Sequence, residues 1–195
     1  MHSAIKTSVL LGATLLLSAC GTTSKLIATD SQSLDLRAYE RVAVLDFTNA
    51  TTREIKDEEK RAEYAARVTE AGVKFADLIA SEMREHKAAP EVLREQPEGK
   101  ALIVNGEITE YVPTNFVIRW LLPIVGETKF DAAVHFIDAQ SGTELGTIMV
   151  DKNSWPLGGW GAIAQTVDSL MGAPAQKVAE ELAIARGVVK RPAKR

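Results

Sequence analysis

The sequence has a single cysteine, Cys20, so the chain forms no disulfide within itself and its fold must rest on its core. It holds only three histidines, His2, His86 and His135. None is paired as His-x-His, set in His-Glu-x-x-His or placed near a cysteine partner, which leaves the usual zinc arrangements unsupported. There is no Gly-x-Ser-x-Gly turn for a nucleophilic serine, and no glycine loop ending in Lys and Ser or Thr to cradle a phosphate. An excess of basic charge is missing too: 23 Lys and Arg stand against 26 Asp and Glu, a formal net charge of −3. That balance argues against nucleic acid as a partner. No apolar run approaches the roughly 20 residues a spanning helix needs. The expectation is a protein that is not an enzyme and takes no metal or cofactor.

What is present begins with a basic, apolar, small-residue progression. Lys6 precedes Val9 to Leu17, and Ser18, Ala19 and Cys20 follow. This is the layout of a secretory signal. The four residues Leu17-Ser18-Ala19-Cys20 resemble the lipobox of bacterial lipoproteins. The resemblance implies cleavage between Ala19 and Cys20, a diacylglycerol on Cys20 Sγ, and acylation of the new amino group. Several acyl chains on one residue hold a protein to a membrane where one chain holds it only marginally. An ordinary signal peptide, or a buried free thiol, is the alternative. Gly21 rather than Asp follows the cysteine; by analogy with Gram-negative sorting this implies the outer membrane, with the domain facing the periplasm.

Residues 1–19 are thus expected as a signal peptide and 20–36 as a flexible tether, polar and small through Thr22, Thr23 and Ser24. Residues 37–187 form one domain and 188–195 a basic tail. With 46% hydrophobic and 25% charged residues the composition is that of a globular protein. Arg41 to Phe47 reads as a short buried strand. A helix starts near Asp57, with Tyr64, Val68, Ala71, Phe75, Leu78, Ile79 and Met83 at helical spacing. Val92-Leu93 is a short second strand and Ala101 to Val112 a long one. Lys129 to Asp138 and Thr143 to Val150 form a hairpin across a Gly-containing turn. A last helix covers about Ala162 to Arg186, with Gly172 and Pro174 expected to break or kink it. The fold class is α/β of the α+β kind: a single mixed, mostly antiparallel sheet, a long helix after the first strand and a C-terminal helix.

Two stretches carry a further resemblance. Arg41 to Phe47, a polar loop and a long helix resemble the opening of the curli-secretion channel lipoprotein and of the lipoprotein activators of penicillin-binding proteins. Leu102 to Tyr111, Arg119-Trp120-Leu121 and Ile137 to Gly142 are together similar to a bacterial lipoprotein family known by a domain of unknown function, the 4410 family. The resemblance implies a fold and a compartment and brings no catalytic residues.

Three places remain where function can sit. Asp46 ends a buried strand, where ligand sites in α/β sheets gather, and Asn49 and Arg53 follow it; a carboxylate that merely bonds the next loop is the plainer reading. Gly158 to Gly161 precede the last helix and read as a capping turn rather than an anion site. Asn115 to Val125 is apolar where a connection should be polar. Phe116, Ile118, Trp120 and Leu122 alternate there around Arg119, so the segment either completes the core or presents a patch to a partner. Trp155 and Trp160 flank a second such turn. The tail from Arg186 is basic and either meets lipid phosphates or stays solvated. The partners implied are the membrane, through lipidated Cys20, and an unidentified envelope protein or a second copy. A ring-forming subunit of an outer-membrane secretion channel and a small-ligand-binding domain are the competing readings.

Overall fold

A computed structural model describes residues 20–29, 34–113, 128–153 and 166–190. The signal segment, Ala19 and the patch residues Phe116, Ile118, Arg119, Trp120 and Leu122 lie outside the described residues, as do Trp155, Trp160, the Gly158–Gly161 turn and residues 191–195.

In chain order the strands are β1 (Cys20–Thr23), β2 (Ile27–Ala28), β3 (Arg41–Val44), β4 (Thr48–Asn49), β5 (Glu91–Leu93), β6 (Leu102–Val112), β7 (Lys129–Asp138) and β8 (Glu144–Asn153). The helices are α1 (Glu58–Glu85), between β4 and β5, and α2 (Val167–Ala185), after β8. The sheet runs β1-β8-β7-β6-β3-β5, with β2 also on β8 and β4 also on β6. Pairing is antiparallel on the β1 and β2 side, through β8 and β7 to β6, and parallel where β3, β4 and β5 join.

Alternation decides which face is covered. Leu102, Val104, Ile108, Phe130, Ala132, Val134, Phe136, Ile148 and Val150 point into one cluster with Phe75, Ile79 and Met83 of α1 and Leu170, Met171, Val178 and Leu182 of α2. The helices pack on each other, α1 over β3 to β6 and α2 over β7 and β8. The opposite face carries Asn105, Glu107, Asp131, His135, Thr147 and Asp151, with Met149 48% exposed. Two glycines allow the close approach that seats Phe47. A Cβ on Gly72 would lie 2.3 Å from the Phe47 carbonyl oxygen, and one on Gly106 would lie 1.9 Å from the Ala133 oxygen and 2.7 Å from the Phe47 ring. The Phe47 ring instead meets Phe75 edge-on at 5.0 Å.

Three expectations are corrected. Residues 20–29 are not a slack tether: they run antiparallel along β8, with Leu36 further on fully buried. The loop after Phe47 opens with a short strand, because Thr48 and Asn49 pair in parallel with Glu107 and Ile108. The last helix passes unbroken through Gly172 and Pro174. Pro174 is buried among Leu170, Met171 and Val178, and that packing outweighs the bond it denies the Leu170 carbonyl.

Candidate functional site

Asp46 does not face Asn49 and Arg53. Its Oδ1 takes a hydrogen bond from Arg94 Nη2 at 2.5 Å, while Arg94 Nε donates to Asp77 Oδ1 at 2.7 Å and Nη1 to the Val44 carbonyl. Arg94 thus ties the end of β3 to α1 and to the residue after β5. Its own side chain is 22% exposed between carboxylates 59% and 62% exposed. Asn49 closes its own turn, accepting from Thr51 N at 3.0 Å and Thr51 Oγ1 at 2.8 Å. Arg53 lies over the Tyr64 ring at 5.7 Å. It lines an open cleft of about 520 Å³ with Thr51, Thr52, Tyr64, Glu110 and Tyr111, and Asp46 has no part in that cleft. Nothing in sequence spacing pointed to Arg94, a lone arginine 48 residues from Asp46.

The sheet face away from the two helices carries a row of carboxylates. Glu110 on β6 stands opposite Asp131 on β7, and Asp131 opposite Asp151 on β8. Burial, with the like charges of Asp151 and Glu110, pushes the Asp131 carboxyl up to about 6, although the Lys152 amide donates to it at 3.2 Å. At the other end of the sheet Asp138 organises the hairpin. It accepts from Tyr39 Oη at 2.5 Å and from the amides of Gln140 and Ser141 at 2.9 and 2.8 Å. These bonds hold its carboxyl down at about 2. Asp138 therefore builds the Gly-containing hairpin turn expected from the sequence, with Gly142 at φ +68°.

His135 sits beside Glu144, Nδ1 to Oε2 3.2 Å, and His86 beside Glu82 at 3.3 Å. Among the described residues no group of three or more His, Cys, Asp or Glu is placed to hold a metal ion. No helix among them is long and apolar enough to cross a membrane.

One register row joins Cys20 to the ends of three strands. Val112 pairs with Lys129, Lys129 with Asn153, and Asn153 with Cys20. The backbone of Cys20 therefore lies in the row where the chain leaves β6 toward Phe116–Val125 and re-enters at β7. The connection from β8 toward Trp155 and Trp160 starts from the same row.

A sheet covered on one face by two packed helices and ended by this row defines an α+β domain without a convergent catalytic constellation among the described residues. The chain belongs to the family described as a domain of unknown function (DUF4410), whose model matches residues 42–158. No curated protein matches it. Among solved structures it is similar to a single-substitution variant of the PelC dodecamer from Paraburkholderia phytofirmans. The two are 15% identical with a TM-score of 0.54, over 83% of this chain and 98% of that one. A second PelC dodecamer structure from the same organism is 15% identical with a TM-score of 0.47, over 80% and 98% of the two chains. At that identity the likeness is one of fold.

Proposed function

We propose that this protein is a lipid-anchored lipoprotein of the cell envelope, facing the periplasm from the outer membrane, that acts without catalysis by contacting copies of itself or a neighbouring envelope protein. The observation that carries the reading is the register row joining Cys20 to the ends of β6, β7 and β8. The acyl anchor on Cys20 and the connection that follows Val112 would then start from one end of the sheet. The resemblance of Leu17 to Cys20 to a lipobox supports the anchor. The likeness of fold to a protein crystallised as a dodecamer supports self-association into a closed oligomer over a purely monomeric role.

The test is the native mass of the detergent-extracted full-length protein. The expected result is a discrete closed oligomer that Phe116→Ala, Trp120→Ala and Leu122→Ala together convert to monomer with little change in melting temperature. A monomer at high concentration, with no crosslinked partner captured in cells from position 120, would overturn the reading. Loss of folding in the triple variant would assign those residues to the core.

A further inference from the structure

Between a lipid anchor and its domain a slack chain is the ordinary arrangement, and residues 20–36 as a flexible coil would set the domain roughly 20–25 Å from the membrane on average. The structure shows no such slack in the first ten of them. Cys20, Gly21, Thr22 and Thr23 pair in register with Asn153, Lys152, Asp151 and Val150, and Ile27 and Ala28 with Thr147 and Gly146. Between these runs the Ser24 amide donates to the Met149 carbonyl at 2.8 Å, and the Met149 amide returns a bond to Ser24 Oγ at 2.9 Å. The Thr29 amide closes the ladder on the Leu145 carbonyl at 3.0 Å.

Side chains fix this arm as well as backbone. Gly146 leaves room for it: an added Cβ would lie 2.8 Å from the Ile27 carbonyl oxygen and 3.1 Å from Leu26 Cδ1. Leu26 packs against the core. On α2, Glu181 is 1% exposed, paired with Lys177 at 2.9 Å, and its Oε2 accepts the Leu26 amide at 3.3 Å. A buried carboxylate is costly unless bonded, so spending one on the backbone of this arm marks a docked segment rather than a passing chain.

We infer that residues 20–29 are a clamped edge strand, so that the end of the sheet carrying Val112, Lys129 and Asn153 is held facing the lipid surface. The inference rests on the lipid-attachment reading of Cys20. With strands about 4.8 Å apart, Val112 lies roughly 15 Å from Cys20 along the row, inside the footprint of one domain. The hairpin tip at Ser141 lies about ten residues up the sheet, roughly 30 Å from the surface.

The experiment uses the full-length protein purified from membranes, weighed for its acyl mass and reconstituted in vesicles containing brominated phospholipid. A fluorophore is attached in turn through Asp151→Cys, near the row, and Ser141→Cys, at the far tip. The expected result is quenching confined to position 151, with the bonded amides of Ser24, Leu26 and Thr29 protected from hydrogen exchange. Glu181→Ala removes a bond to a charged acceptor and is expected to speed exchange in the arm about tenfold or more and to reduce the difference between the two labels. An acylated protein in which both labels are quenched equally, or in which the amides of Ser24, Leu26 and Thr29 exchange as those of a free chain do, overturns the inference and leaves the anchor standing. A mature protein with no acyl mass removes both.

Discussion

Asp131 and Asp138 lie on one strand and respond to acid in opposite senses. Asp131 is held at about 6, above the roughly 3.9 of an unfolded chain, so between those values the folded protein binds the proton more tightly and stability falls as pH rises. Asp131→Asn removes that penalty and still offers an oxygen to the Lys152 amide. It should raise stability at pH 7.5 by about 1 kcal/mol, allowing for solvent screening, with the gain gone by about pH 4. Melting curves at the two pH values check this, and an equal gain at both would contradict it. Asp138 is held at about 2, below its unfolded value, so its contribution is complete above about pH 4 and is lost as pH falls through 2. Asp138→Ala leaves the Gln140 and Ser141 amides and the Tyr39 hydroxyl without their acceptor and should cost about 1–3 kcal/mol at neutral pH in a denaturant titration. The hairpin turn that Asp138 opens was legible in the sequence, whereas the role of its carboxyl and the setting of Asp131 were not. Its environment is made by Glu110 and Asp151, distant in sequence and brought opposite it by strand pairing.

The two helices end alike but with different residues. After α1 the Lys87 amide reaches the Arg84 carbonyl at 3.2 Å and the Ala88 amide the Met83 carbonyl at 2.8 Å. After α2 the Gly187 amide reaches Ile184 and the Val188 amide Ala183, both at 2.9 Å. Both turns need a left-handed residue: Gly187 has φ +70°, and Lys87 is forced to φ +51°. Lys87→Gly should therefore stabilise the protein by about 0.5–1 kcal/mol, and Gly187→Ala should destabilise it by about 1 kcal/mol. Within α2, a Cβ on Gly172 would meet nothing within 4 Å. Gly172→Ala should add about 0.5–1 kcal/mol, read as a higher denaturant midpoint with unchanged slope. The start of α1 was legible because Asp57 is an N-cap, its Oδ1 accepting the Lys60 amide at 2.9 Å. The continuity of α2 was not, since local rules for Gly and Pro argue against it and the packing of its buried face overrides them.

For the molecule as a whole, the division between the helix-covered sheet face and the face away from the helices governs what is tolerated. Gly106→Ala places a methyl group against the Ala133 backbone and the Phe47 ring and should abolish cooperative unfolding or lower the melting temperature sharply. Polar substitutions at Met149, 48% exposed on the face away from the helices, should leave stability nearly unchanged. The alternation of β6, β7 and β8, the apolar stripe of α1 and the hairpin turn were written locally, because burial on one face imposes a period of two on a strand and of 3.6 on a helix. The fold class followed from them. The seat of residues 20–29, the bond from Leu26 to buried Glu181, the Arg94 clamp on Asp46 and Asp77, and the row joining Cys20 to Val112 were not written there. Each depends on groups dozens of residues apart that share no period, and such groups meet only after the strands have chosen their register and the helices their side of the sheet.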